Sequence, residues 1–398
     1  MSAPILAQRP FIWTIVTNFF FFASLNGFFL MPLYIEQLGG TAVEIGLVMG
    51  AYSGIGILCQ PAIGPWVDAA GRRPFMLLGA GLVFVSAVLA VLANGIGWLA
   101  LVRGLQGVGF SAFFVANYSY VIDLVPVAQR GWALGIYGVS GLVSTAITPL
   151  VGEFIVRRFG FPPFFAVCAV LAAISLVLVI PLRERRRDVI QPVRGWESAR
   201  SGFADLFHRH MAVTVFFGLG TGTIFAFLPT FAEDLGVTTL AIFYTAYASA
   251  AMAVRIFGGR LIDTRGRVAV IVPSMFIQAS ATGFLALLGL VVTRTSAVPA
   301  VPVLLVAGLL AGGAHGFIYP GLSALIADRA PTARRGAVIG VFSGVFLIGN
   351  AGGAFVFGFV IHAIGYAHAW SLLTAILLAG AGMSLRLEEP ERVRAVVY

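Results

Sequence analysis

Long apolar runs punctuated by short polar clusters repeat along this chain from Phe11 onward. A hydrocarbon core about 30 Å thick takes roughly 20 residues of helix to cross, at about 1.5 Å each. Twelve runs reach that length, over 11–33, 42–67, 74–94, 97–122, 131–156, 161–181, 210–232, 238–262, 268–292, 298–326, 337–362 and 366–386. The pattern predicts an all-α integral membrane protein with twelve transmembrane helices. Its thinnest punctuation is Asn94-Gly95 between the third and fourth runs and Gly365-Tyr366 between the last two. The first run is too long for the apolar region of a secretory signal, and a polar Glu36-Gln37 pair follows it instead of a small-residue cleavage site, so it is expected to be retained.

The longest polar stretch, Arg183 to His210, divides the runs into six and six. The expected organisation is an N-terminal bundle over 1–182, a central loop over 183–209, and a C-terminal bundle with its tail over 210–398. Matched motifs support a duplication. G-x-x-x-D-x-x-G-R follows the second run, with Asp68, Gly71, Arg72 and then Arg73, and recurs after the eighth with Asp263, Gly266 and Arg267. D-x-x-P-x-x-x-R-G-x-x-x-G follows the fourth run with Asp123 and Arg130, and recurs after the tenth with Asp328 and Arg335. Two motifs recurring in matched loops point to two halves of one fold.

Composition agrees with a bilayer. Only 10% of the 398 residues are charged and 59% are hydrophobic, against roughly 25% charged in ordinary globular domains. The net charge of +9 comes with a basic set made entirely of arginine. Without lysine there is neither a Schiff base nor a Gly-Lys-Ser/Thr phosphate loop. Placing both termini in the cytoplasm puts twenty of the twenty-five arginines in inner loops and tails, leaving Arg157, Arg158 and Arg294 outside and Arg103 and Arg255 within helices. The charge therefore reads as membrane orientation, in a multi-pass protein of the bacterial inner membrane, and not as a nucleic-acid surface. The basic central segment, with Trp196, Phe203 and Phe207, is expected to lie against anionic lipid. Cys59 and Cys168 fall in apolar runs and suit packing. The sequence offers no nucleophile with a base, no metal cluster and no nucleotide loop, so neither an enzyme nor a cofactor is expected.

With these motifs the chain resembles the major facilitator superfamily over nearly its whole length. The loop after the second run is similar to that family's D-x-x-G-R-R signature, with Trp66 where leucine is usual and Val268 replacing the second basic residue in the later copy. Leu99, Arg103, Gln106, Gly107 and Gly109 resemble its second motif, which recurs in proton-linked members. Gly141, Thr148, Pro149 and Gly152 form a partial version of its antiporter motif. The resemblance implies two pseudo-symmetric six-helix bundles rocking about a central cavity, with a cytoplasmic gate. In that gate Asp68 and Asp263 latch onto the opposite half, where a helix N-terminus favours a carboxylate. Arg72 or Arg73 with Asp123, and Arg267 with Asp328, tie the loops within each half, Gly71 and Gly266 let them turn, and Arg130 and Arg335 complete them.

Ionisable groups within a span are costly and mark functional positions. Arg103 is a fixed positive charge for an anionic substrate group or a proton-carrying acid. His315 suits proton coupling or substrate bonding. Glu153 either pairs with Arg157 one turn on or faces Arg103 across the cavity. Arg255, eight residues before Asp263, reads as structural and close to the cytoplasmic end. Asn18, Asn26, Asn117, Tyr118, Tyr137, Thr145, Tyr244, Tyr247, Gln278, Tyr319 and Asn350 supply uncharged polar groups for the cavity. The expected function is proton-coupled efflux of a small amphipathic or drug-like solute by a monomer in contact with lipid. Uptake of a sugar or organic acid, and a non-transporting receptor or lipid-handling protein on the same fold, are the alternatives.

Overall fold

A computed structural model of the chain describes residues 9–125, 130–183, 209–237, 239–292, 300–329 and 335–389. The expected central loop lies outside the described residues except at its ends, as do the side chains of Asp68, Arg130, Asp263 and Arg335. The described residues form helices and connecting turns. The first half contains α1 (Arg9–Gln37), α2 (Ala42–Ala70), α3 (Arg72–Val91), α4 (Ile96–Leu124), α5 (Arg130–Phe159) and α6 (Phe161–Val179). After it come α7 (Arg209–Asp234), α8 (Ala241–Ala253, a π-helical turn at Val254–Gly258, then Gly259–Thr264), α9 (Arg267–Val292) and α10 (Ala300–Arg329).

The last helical stretch, Arg335–Ser384, is 50 residues long. At about 1.5 Å per residue it would measure roughly 75 Å, far more than one crossing needs. Gly365 (φ 75°, ψ 168°) is non-helical and splits it into α11 (335–364) and α12 (366–384), at the thin boundary the sequence indicated. Eleven continuous stretches thus make twelve crossings. An even number returns the chain to the end from which it started, called here the termini end; the opposite face is the far end.

Local chemistry sets several helix limits. Thr41 opens α2 with a reciprocal cap: its hydroxyl accepts from the Glu44 amide, and the Glu44 carboxylate accepts from the Thr41 amide at 2.8 Å. Gly71 (φ 97°) and Gly266 (φ 93°) let α2 and α8 pass directly into α3 and α9 in a conformation that a Cβ disfavours.

Helix packing repeats between the halves. The first half pairs α1 with α5 and α6, α3 with α4 and α6, and α2 with α4. In the second half α7 packs on α11, where Gly218 and Gly222 meet the backbone of Phe346 and Asn350, and on α12, where Phe216 fills the space at Gly380. α9 packs on α10 and α12, and α8 on α10. The repeat extends to single contacts. Gly107 of α4 lies on the Tyr52 carbonyl of α2, and Gly312 of α10 lies on the Tyr247 carbonyl of α8. A Cβ at either would strike backbone, so glycine is required by the close approach. On the periphery Leu78 and Val85 of α3, Leu92 just after it, Val170 and Val177 of α6, and Phe284 and Leu287 of α9 are exposed. An exposed apolar surface of this extent is what lipid covers.

Candidate functional site

The halves meet along two helix pairs, α2 with α11 and α5 with α8. Toward the far end the first seam is tight: Gly46 lies on the Ala354 carbonyl and on Gly358, Gly50 lies on the Phe355 ring, and Ser53 donates to Asn350 Oδ1 at 2.8 Å. In the second seam Thr245 donates to the Ala146 carbonyl at 3.0 Å. Above it Glu153 takes the first amides of α8, accepting from Leu240 at 3.2 Å and Ala241 at 2.8 Å. Those amides have no partner inside their own helix, and the positive helix end favours the carboxylate. Arg157, one turn along α5, pairs with the same carboxylate at 2.8 Å. Between the seams Phe29, in the 3-10 turn of α1, packs against Phe225 of α7 and stacks on Tyr244 of α8, with ring centroids 4.7 Å and 5.6 Å away.

Toward the termini end, positions on the same four helices have open space beside them. A Cβ placed at Gly64 of α2, Gly135 of α5, Gly259 of α8 or Gly344 of α11 would meet nothing within 4 Å. The duplicated loops there are braced within each half. Arg72 Nε lies 3.3 Å from Asp123 while its Nη1 donates to the Val67 carbonyl at 2.9 Å. Arg267 repeats both contacts, at 3.3 Å to Asp328 and 2.7 Å to the Ile262 carbonyl. Arg72, not Arg73, takes the acid; Arg73 donates to the Ile180 carbonyl at the end of α6. In the second half Glu389 additionally accepts from the Val268 amide, which ties the residues after α12 to the start of α9.

Three clusters of polar groups lie between the two ends. Arg103 of α4 is buried, donates to Gln106 at 2.8 Å on its own helix, and stands 4.5 Å from the Tyr52 ring centroid. The second cluster joins helices of the first half: Asn117 donates to Asn18 at 3.2 Å and to the Tyr137 hydroxyl at 3.1 Å, while Asn18 donates to Ser140 at 2.8 Å. The third is in the second half. His315 stacks with Tyr319 at 5.9 Å and lies 5.6 Å from Tyr247 and 5.3 Å from Phe217. Arg255, in the π-helical turn of α8, is within electrostatic reach of Tyr247, His315 and Tyr319, and Tyr118 of the first half is within reach of Tyr319.

These positions revise several expectations. Glu153 does not face Arg103; it is committed to Arg157 and the start of α8, because α5 turns that position toward its partner across the second seam. Asn18, Asn117 and Tyr137 bond to one another, and Asn26 donates to Ser144 and Thr145. Gln278 donates to the Phe217 carbonyl between α9 and α7. Each of these groups satisfies a neighbouring helix of its own half, as buried polar groups must. Asn350 and Tyr244 belong to the far-end contact between halves. Three of the expected residues come together, Tyr247, His315 and Tyr319, with Tyr118 of the first half within electrostatic reach of Tyr319. Arg255, expected to be structural, joins them. The sequence shows Arg255 as an ionisable group within a span, but counting from Asp263 along a regular helix does not reveal the π-helical turn or the neighbours it gives that side chain.

The family model described as Major Facilitator Superfamily matches residues 12–300 and again 279–396. The multidrug resistance protein MdtG of Enterobacter lignolyticus (strain SCF1) is 25% identical over 378 residues, 89% of this chain and 87% of that protein. The staphylopine export protein of Staphylococcus aureus (strain Mu50) is 23% identical over 375 residues, 90% of each. Among solved structures, a mutant of the nucleoside transporter NupG superposes over 95% of this chain and 99% of that one with a TM-score of 0.78 at 15% identity. With the motifs, the twelve crossings and the family model agreeing along nearly its whole length, the chain belongs to the Major Facilitator Superfamily.

Proposed function

We propose that this protein exports a small organic solute, amphipathic or drug-like, across the bacterial inner membrane by alternating access, in exchange for protons. The observation that carries the reading is the asymmetry between its two ends. Glycine contacts and hydrogen bonds join the seams α2–α11 and α5–α8 toward the far end, while glycines of the same helices toward the termini end have open space beside them, as expected of a carrier open to one side. The positive-inside distribution of arginines makes the open side cytoplasmic. Export is supported by the names of two relatives, a multidrug resistance protein and an export protein. The two six-helix halves are the moving bodies, and a single chain suffices.

Glu153 supplies the coupling step. As a carboxylate it holds the far end shut by accepting from the start of α8; a proton arriving from outside removes the charge and one acceptor, and the seam loosens. On the cytoplasmic side Arg72 with Asp123, and Arg267 with Asp328, keep each loop in shape. Asp68, Asp263, Arg130 and Arg335 complete the gate that closes when the cytoplasmic ends approach. Inverted membrane vesicles test the reading. Solute accumulation should follow imposition of a proton gradient and collapse when a protonophore removes it. Accumulation that ignores the gradient would remove the proton, and accumulation only in right-side-out vesicles would reverse the direction.

A further inference from the structure

Arg255 carries a permanent charge on α8, half-buried, and among the described residues it has no counter-charge. Among the described residues it makes neither a hydrogen bond nor an ion pair, and its Nε atom is buried without a partner. A lone charge at this depth is costly, and proteins compensate buried charges by pairing them. The described acids do not supply that pairing. Glu153 is committed at the far end, Asp328 to Arg267, and Asp263 lies eight residues along α8, about 12 Å away along the axis.

The surroundings of the guanidinium are those of a binding subsite. Its Nη1 stands 2.9 Å from where a Cβ at Gly138 would be, so it reaches α5 of the opposite half and depends on that glycine for room. On its own half it is within electrostatic reach of Tyr247, His315 and Tyr319. His315 Nδ1 is also buried without a partner. Tyr319 and His315 present nearly parallel rings, 15° apart, and Tyr118 of the first half is within electrostatic reach of Tyr319.

We infer that the Arg255–His315–Tyr319 corner binds the anionic group of a planar organic acid, the substrate's carboxylate lying on the Arg255 guanidinium and its body against the tyrosine rings. Arg255 is a forked donor suited to a carboxylate, and an aromatic wall beside it suits a flat apolar body. The site lies at the meeting of the halves, so a bound acid touches both moving bodies. This inference rests on the export reading and narrows it to anionic solutes. The chemistry would also suit the phosphate of an anionic lipid.

The test uses the full chain in phosphatidylcholine nanodiscs and three probes of one shape: 2-naphthoate, naphthalene-2-carboxamide and 2-naphthylmethylammonium. Binding is read by ligand-dependent thermal unfolding. A hydrogen-bonded charge pair predicts that naphthoate binds roughly 10- to 100-fold more tightly than the amide, with the ammonium weakest. Arg255→Gln should erase the preference and Arg255→Lys should keep part of it, which separates loss of charge from loss of fold. Equal binding of acid and amide, or a preference that survives Arg255→Gln, overturns the inference. Phosphatidylglycerol in the nanodisc abolishing the naphthoate response would give the corner to lipid and overturn its assignment to a solute. Proteoliposome flux separates the two readings: transport of neutral or cationic solutes with no acid preference overturns the inference and leaves export standing, whereas Arg255-dependent acid binding without flux of any probe overturns export and leaves the anion site.

Discussion

Replacing Glu153 by glutamine should shift the protein toward the state open at its far end. The Arg157 contact lies within one helix and persists in either state, so it cancels. What changes between states is the pair of bonds to the amides of Leu240 and Ala241. Hydrogen bonds to a charged acceptor contribute about 1.5–3 kcal/mol net and neutral ones about 0.5–1.5. Glutamine also has one acceptor where the carboxylate has two, so its amide nitrogen would confront one of the two backbone donors. The loss is therefore about 2 kcal/mol before any helix-end contribution. At 1.4 kcal/mol per decade, that is roughly 30-fold in the equilibrium, raising a far-open population of about 1% to about a quarter. Spin labels at Leu92→Cys and Ile364→Cys, both exposed at the far end, in a background with Cys59 and Cys168 replaced, would report the change as a new long-distance component. Arg158→Gln, at an exposed far-end charge, should leave the distribution as in the parent. An unchanged distribution in Glu153→Gln would refute the latch.

Gly312→Val should lower the thermal midpoint sharply, since its side chain would strike the Tyr247 carbonyl, whereas Gly313→Ala, where a Cβ meets nothing within 4 Å, should be silent by the same thermal scan. Arg267→Gln breaks both the Asp328 pair and the cap on Ile262 and should slow solute turnover more than it weakens solute binding, measured as flux against thermal shift. A pure binding defect would contradict a role in the gate.

The sequence reveals the crossings because an apolar run of about 20 residues has one inexpensive destination. It is less informative about where runs end. The first was expected to stop at 33, yet α1 continues to Gln37. Pro32 sits in the first turn of a new helical segment after the 3-10 turn, a position where its missing amide costs nothing. The loop motifs and their glycines were legible because they are repeated. Side-chain partners were not: whether Glu153 meets Arg157, Arg103 or the start of α8 depends on how two helices from different halves are rotated, and no local spacing records that.

The two halves depart from their own repeat at several chemically distinctive positions. Counting back from the matched aspartates, Tyr52 answers to Tyr247, and Gly107 answers to Gly312; both glycines lie on the carbonyl of the corresponding tyrosine. The scaffold has been kept. On the same count Phe110, 5.5 Å from Tyr52, answers to His315, 5.6 Å from Tyr247, and Phe114 answers to Tyr319, with each pair stacked on its own helix. Gln60 answers to Arg255. The ring geometry is the same in both halves, but in the second it has gained an imidazole, a phenol and a guanidinium, which packing alone does not require. Arg103 is the departure in the first half, since its counterpart is Gly308. Duplicated packing accounts for how the halves are built, and Arg255, which reaches Gly138 of the other half, stands where the duplication was broken.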